Sequence, residues 1–444
     1  MRLRALPFFA FFALVPACSS SSSGSAPEWV DAPKSIKLGQ GETAVVALTV
    51  RDADGDVVKV SLRGNGIDGS ASADGKKLSV HASYDVAGTA DIVVVLDDAH
   101  GHSSEVHVPV EVEAIKWHEP TTWTTEGPVA REHGTMLLDD ERRVAYLVGG
   151  SGYKPQGTAL GDVWKLDLAT HVWSQVTPTG DVPPPAGSRR AAVIPGTKTA
   201  LLFGGYETFD TDTADLYKVD WSGDVPAFQK LEQSAGPSAR ELHGFVYDAE
   251  TQRFATFGGF SNAKGSPVDD TWTMKLEGNR AVWTEVKSEA KPTPRYGFFY
   301  GLDETTGRLI VFSGAQSPKS KDPINGAKDT WALDLRASAP AWKQVLTGEE
   351  EGTPVGRRNG CSVFDPRGPR LVVFGGTSDG AKTQPGLFVL DVRPGHEAWK
   401  QLELAGSPPL RSSGFGFYDE ATRTSYCGFG NDAKLYTDLN ALGY

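Results

Sequence analysis

Positive charge, cysteine and long apolar runs are all scarce in this chain. Its 44 lysines and arginines are outnumbered by 56 acidic residues, a formal net charge of -12. Phosphate backbones require a basic face, so the balance excludes a general nucleic-acid binder and leaves room only for a local basic pocket. One apolar run exists, Leu6 to Val15. It is short for a hydrocarbon core of about 30 Å, and no later segment is long and apolar enough to span a bilayer. From Trp117 onward there are five histidines, His118, His133, His171, His243 and His396, with no ligand-like spacing. No glycine-rich phosphate loop and no Ser/His/Asp arrangement can be named, so no catalytic residue is assigned. What is abundant is glycine (50) and proline (28), in 444 residues. That suits a turn-rich, all-β chain of two or three domains.

Arg2 and Arg4 precede the apolar run, which ends in Val15-Pro16-Ala17-Cys18. This resembles the lipobox of bacterial lipoprotein signal peptides, with Pro16 a departure from the pattern. Residues 1–17 are then a signal peptide and Cys18 the lipidated residue; an ordinary secretory signal with an incidental cysteine is the alternative. Ser19 to Ser23, Gly24 and Ser25 read as a flexible tether, giving 18–26 that role. Ser19 directly after the cysteine resembles lipoproteins sorted to an outer membrane. The expected location is outside the cytoplasm, periplasmic or surface-facing, touching the membrane through the lipid alone. Export would permit a disulfide between Cys361 and Cys427. Each lies in an apolar strand pattern, however, and two buried free thiols are expected.

Residues 27–113 alternate apolar and polar residues in short runs, as in Ala44 to Val50, Val57 to Leu62, Asp91 to Leu96 and Val106 to Val112. Short strands between Gly/Asp turns predict a small antiparallel sandwich. The closing phrase around Asp97-Asp98-Ala99-His100-Gly101 resembles bacterial Ig-like or cadherin-like modules. Asp52-Ala53-Asp54-Gly55-Asp56 resembles part of a calcium loop, making Asp52, Asp54 and Asp56 calcium candidates. Arg63 stands where the closing glutamate of such a loop would be, and a β-turn explains the same residues. No other cofactor is expected.

From about residue 114 the chain repeats itself. Glycine pairs follow an apolar strand at Gly149-Gly150, Gly204-Gly205, Gly258-Gly259 and Gly375-Gly376, with Ser313-Gly314 and Cys427-Gly428 in the same slot. An arginine precedes each slot by about 18 residues: Arg131, Arg240, Arg295, Arg357 and Arg411, with Arg189 or Arg190 in a shortened second repeat. An aspartate follows most of these arginines by eight residues, as Asp139, Asp248, Asp303, Asp365 and Asp419 do. Downstream comes Asp-x-aromatic, as in Asp162-Val163-Trp164, Asp215-Leu216-Tyr217, Asp270-Thr271-Trp272 and Asp329-Thr330-Trp331. The last two repeats keep only Phe388 and Tyr436. A further strand then opens with Trp173, Phe228, Trp283, Trp342 or Trp399. This combination resembles the kelch repeat. The resemblance implies that 114–444 form a six-bladed β-propeller, an all-β architecture in which radial packing buries the sheet faces. The last repeat lacks its outer strand, so the stretch before the first arginine, with Trp117 or Trp123, is expected to supply it and close the ring.

Fold does not decide activity. A copper radical oxidase would need a Tyr/His ligand set and a cross-linked cysteine, and a sialidase its Asp boxes; neither pattern is present. In kelch propellers the in-phase arginine lies near one mouth of the central channel. Arg131, Arg189, Arg240, Arg295, Arg357 and Arg411, with His133 and His243, are therefore expected ligand-binding residues for an anionic protein, peptide or glycan. The plainer reading pairs each arginine with a carboxylate or carbonyl of its own blade. The expected function is a binding or interaction scaffold. The alternative is an envelope sugar-processing enzyme resembling a kelch sialic-acid mutarotase.

Overall fold

The computed structural model describes residues 24–444 except 54, 56, 57, 124, 125, 153–157, 209, 318–325 and 379–381. The chain separates into two units. One comprises residues up to Lys37, Ala44–His81 and Thr89–Glu111; the other comprises Leu38–Thr43, Ala82–Gly88 and Val112–Tyr444. No α-helix occurs among the described residues.

The smaller unit is built on a four-stranded sheet ordered Ile36–Gly39, Ser103–Glu113, Gly88–Asp97, Lys59–Gly64, and a three-stranded sheet of Thr43–Ala47, Lys77–Ala82 and Ile67–Ala71. Period-two alternation sets its core. Ile92, Val94 and Leu96 are fully buried on one face of their strand, as are Val108 and Val110 on theirs, while intervening residues stay wetter.

In the larger unit each repeat becomes a sheet of antiparallel strands, six among the described residues, and in the second and third a short further strand, Thr179–Gly180 or Glu232–Gln233, adds in parallel at the outer edge. The third, for example, runs outward from Gly244–Asp248 through Arg253–Phe257 and Thr271–Glu277 to Arg280–Glu285. The innermost strands touch in sequence order around an axis, and the last, Phe415–Asp419, touches the first, Thr135–Asp139. The sheets are thus the blades of a closed β-propeller, and the faces of consecutive blades bury apolar clusters between them. The tryptophan or phenylalanine of each outer strand enters the cluster shared with the preceding blade. Trp342, for instance, meets Phe257 at 4.8 Å between ring centroids, and Trp399 meets Phe312 at 4.4 Å.

Ring closure follows the sequence expectation and settles which tryptophan serves it. Asp438–Gly443 of the sixth blade pairs with Lys116–Trp117 (Lys116 opposite Gly443, Trp117 opposite Leu442) and with Thr121–Thr122. Trp117 packs against Phe374 of the fifth blade at 5.4 Å, in the manner of the outer-strand tryptophans. Trp123 instead joins Trp173 and Phe429 on the opposite side of the sixth blade.

The cysteine expectation is overturned. Cys361 and Cys427 form a disulfide with Cα atoms 6.1 Å apart. They sit on neighbouring blades, in Cys361–Asp365 and Thr424–Gly428, and both side chains turn into the same interblade cluster with Val363. Strand patterning buries each cysteine correctly but cannot show that two buried residues 66 positions apart face each other.

Candidate functional site

The in-phase arginines point into their own blades. Arg131, Arg240, Arg295 and Arg411 are fully buried, and each follows one plan. In Arg240 the Nε donates to Ser238 O (2.9 Å), Nη1 to Gly258 O (3.0 Å), and the fork Nη1/Nη2 clasps Asp270 at 2.8 and 2.7 Å. Arg131 clasps Asp162 and Arg295 clasps Asp329 in the same bidentate way. Trp164, Trp272 and Trp331 each donate Nε1 to the same aspartate at 2.6–2.8 Å. Although burial pushes the Asp162 and Asp270 carboxyls up, the hydrogen bonds and charge of Arg131 and Arg240 outweigh it, holding both below the ordinary carboxylate range. The arginine, the glycine-pair carbonyl and the Asp-x-aromatic motif are therefore one internal network.

Three blades depart from it. In the sixth, Asp438 clasps Arg411 and the Tyr436 ring lies 4.3 Å from the guanidinium, so the aromatic precedes the acid. In the fifth, Gly386 stands at the aspartate position. The Phe388 ring lies 4.9 Å from the Arg357 guanidinium, which donates to Gly375 O and Pro385 O. With no carboxylate among the described residues to offset burial, Arg357 is pulled down to about 10. In the second, Ala186 occupies the arginine position: Gly150 N donates to Ala186 O as Gly205 N does to Arg240 O. Arg189, three residues on, reaches back to Pro184 O (3.3 Å) and Gly204 O (3.4 Å), beneath the Tyr217 ring.

A family model, the KLHDC2/KLHL20/DRC7 Kelch-repeats domain, matches residues 96–250, 132–342 and 249–443. The chain belongs to the kelch-repeat family. Curated kelch relatives include putative adagio-like protein 2 of Oryza sativa subsp. japonica, 26% identical over 310 residues, which are 67% of this chain and 46% of that protein. The N-(sulfonatooxy)prop-2-enimidothioate sulfolyase of Thlaspi arvense is 26% identical over 311 residues, 66% of this chain and 84% of the enzyme. The chain spans less than half the length of the adagio-like relatives it matches. Among solved structures, one titled "Structure of YjhT" aligns with TM-score 0.50 at 15% identity, covering 72% of this chain and 95% of that one; this likeness speaks to the fold alone.

The kelch arginines being committed inside the blades, other residues line the channel. Six positions at the start of the inner strands, His133, Ser188, Leu242, Gly297, Asn359 and Ser413, share a left-handed backbone with φ of 52–62°. Their peptides form a belt around the axis. Ser188 N donates to His133 O (2.9 Å), Gly297 N to Leu242 O (2.9 Å), Asn359 N to Gly297 O (2.7 Å), and Ser413 N to Asn359 O; His133 N to Ser413 O (3.2 Å) joins the last repeat to the first. Below the belt lies a cavity of about 180 Å³, whose wall includes His133, Arg190, Tyr300, Asn359 and Ser362.

Arg190, the neighbour of the expected Arg189, is the guanidinium in that wall. Its Nε donates to His243 O (3.2 Å), it lies 5.9 Å from the Tyr300 ring, and no carboxylate among the described residues pairs with it. Next to the belt residue Asn359, Arg358 lies over the Tyr296 ring and donates Nη1 to its hydroxyl, while its Nε is buried without a hydrogen-bond partner among the described residues, as are Asn359 Oδ1 and Ser188 Oγ. Glu132 accepts from Asn431, and burial pushes its carboxyl above the ordinary range. His133 meets Tyr206 edge-on at 6.2 Å.

The residues expected to grip a ligand are therefore redistributed. His133 lines the cavity, and Arg189 borders it with its guanidinium engaged below. Arg131, Arg240, Arg295, Arg357 and Arg411 do not reach it. His243 leaves the mouth altogether: it is fully buried, edge-on to Phe203 at 5.2 Å, with neither ring nitrogen hydrogen-bonded. The repeat phase leaves Arg189 and Arg190 as alternatives and the site assignment takes Arg189; Arg358 has no signal of its own, since it directly follows the in-phase Arg357.

In the smaller unit, Asp52 Oδ1 accepts from Gly55 N (3.1 Å), which is the turn geometry. Asp54, Asp56 and Cys18 lie outside the described residues. Asp98 accepts from His100 N and His102 N and meets His102 Nδ1 at 2.7 Å, capping its own turn. No group of three metal-ligating side chains is assembled among the described residues.

Proposed function

We propose that this kelch propeller is a non-enzymatic binding scaffold whose channel mouth takes an anionic group of a peptide or glycan. The observation that carries the reading is a pair of guanidiniums without a carboxylate partner among the described residues, Arg190 in the cavity wall and Arg358 next to the belt residue Asn359, whose Oδ1 is itself buried without a hydrogen-bond partner among those residues. A buried polar atom without a partner is costly, and a ligand that satisfies several at once gains correspondingly. The lipobox-like Cys18 and its Ser/Gly tether support display on the envelope through a lipid, with no nucleic-acid partner and no cofactor beyond calcium at the small domain. A sugar-processing enzyme is the second reading. Glu132, raised by burial near the cavity that His133 lines, favours it as a candidate acid.

Probing a peptide and glycan array with the full chain tests both. Binding to anionic members should fall at least tenfold in Arg190→Ala/Arg358→Ala, with the melting temperature unchanged. Binding that survives the double substitution would overturn the anionic-mouth reading. Turnover of a bound sugar, abolished by Glu132→Gln, would install the enzymatic one.

A further inference from the structure

The inner strands run from the arginine mouth to a second opening, where the chemistry is reversed. A cavity of about 620 Å³ lies there, reached by the far ends of the inner strands and sharing Met136 with the smaller cavity. Its wall carries five carboxylates, Asp139, Asp140, Glu141, Glu304 and Glu420, and one ammonium, Lys198, which is already paired with Glu141 at 2.8 Å. Between the acids the wall is aromatic: Trp221, Phe364, Phe417 and Tyr418.

One of these acids is buried and incompletely bonded. Five in-phase aspartates start the inner hairpins. In Asp248, Asp303, Asp365 and Asp419 both carboxylate oxygens accept hydrogen bonds from turn amides, threonine hydroxyls or an arginine. Asp139, 3% exposed, differs. Its Oδ1 accepts from Arg142 N (3.0 Å), but Oδ2 has no hydrogen-bond partner among the described residues. The nearest cation, Arg142 Nη1, is 3.8 Å away, and its guanidinium is turned onto Trp221 O, Ser222 O and Gly223 O at 2.6–2.7 Å. The acids around Asp139 also crowd one another. Partial loss of water and then the charges of Asp419 and Glu420 lift Asp140, and loss of water and then Glu420 and Asp248 lift Glu304. Glu420 thus acts on both neighbours.

We propose that this second mouth is a binding site for an alkylammonium group, the chemistry shared by a lysine side chain and a polyamine. An ammonium relieves the carboxylate crowding and can donate to Asp139 Oδ2. Its methylene chain lies against aromatic faces, where cation–π attraction adds to apolar burial. The site is independent of the anionic mouth, since none of its acids lines that cavity.

Calorimetric titration of the full chain with spermidine, and separately with a hexalysine peptide, tests the proposal and distinguishes the two sources. Binding should be measurable at low salt and weaken as salt rises. It should fall at least fivefold in Glu304→Gln/Glu420→Gln and be unmoved by Arg190→Ala. At pH 5 it should release protons, read from the difference between buffers of unlike ionisation enthalpy. Absence of binding by both probes, binding indifferent to the double substitution, or calcium binding with displacement of spermidine by calcium would each overturn it.

Discussion

The third and fifth blades have the same four strands and the same buried arginine, yet solve the burial of a cation differently. In the third, Asp270 and Trp272 complete a charged network around Arg240. In the fifth, Arg357 keeps only carbonyl acceptors and the face of Phe388. The blade therefore needs a cationic fork bridging the strand-entry loop to the glycine-pair carbonyl, whereas the carboxylate is replaceable by an aromatic face. The second blade makes the same point from the other side. With alanine at the arginine position, Arg189 delivers a guanidinium to the equivalent carbonyls from a different place in the chain.

The largest expected effect separates those two solutions. Arg240→Met strands Asp270 in a site only partly open to water, and breaking such a pair from one side costs about 3 kcal/mol. Arg357→Met strands no carboxylate among the described residues; it leaves the carbonyls of Val355, Gly375 and Pro385 without their donor but also removes a desolvated cation, so its cost should be the smaller of the two, about 1–2 kcal/mol. Urea midpoints of the two variants measure this. Equal losses would mean that the aspartate contributes little and that the carbonyl contacts dominate both blades.

The next effect concerns how the fifth blade is held to the sixth. The Cys361–Cys427 bond ties positions 66 residues apart across that interface. Constraining the unfolded chain over such a loop contributes about 2–4 kcal/mol. Cys361→Ala/Cys427→Ala should lower the urea midpoint accordingly, while the wild type should lose the same amount under reducing conditions and the variant none. A wild type insensitive to reductant would place the stability of the seam in its apolar cluster instead.

Much of the propeller was legible because its signals repeat: a glycine pair, an aspartate and an aromatic in phase specify the strand order of each repeat and even the missing strand that Lys116–Trp117 supplies. The function of the phased arginines was harder to read, since phase fixes an equivalent position without fixing which way the side chain points. Arg131, Arg240 and Arg295 turn inward because an aspartate some 30 residues downstream waits in the same blade, a pairing visible in the motif once both ends are considered together. Arg358 carries no repeat signal of its own. Nor does His243, whose position is held by Gly134, Arg189 and Phe298 in the first, second and fourth repeats.

That last position yields the smallest effect, and it again compares blades. Where the second blade places Arg189 and the fourth Phe298, the third places a fully buried imidazole against Phe203, with no hydrogen-bond partner on either nitrogen. Burial first, then the nearby charges of Arg190 and Arg240, hold His243 well below the ordinary histidine range. In the unfolded chain the ring binds a proton below about pH 6.5, whereas in the folded chain it does not, so the unfolded state carries the extra proton. Stability from this group is therefore complete above pH 6.5 and declines as the pH falls, by about 1.4 kcal/mol for each pH unit well below that point. Glu132, Asp140 and Glu304, all raised, contribute with the opposite sign at lower pH, and His118, lowered, with the same sign. The informative quantity is hence the difference between wild type and His243→Phe, a side chain the fourth blade already accommodates at this position. Between pH 7 and 5 the variant's unfolding free energy should fall less steeply than the wild type's. Parallel curves would mean that His243 takes up its proton in the folded blade as readily as in the unfolded chain, and that its place in the third blade is no less tolerant of charge than that of Arg189 in the second.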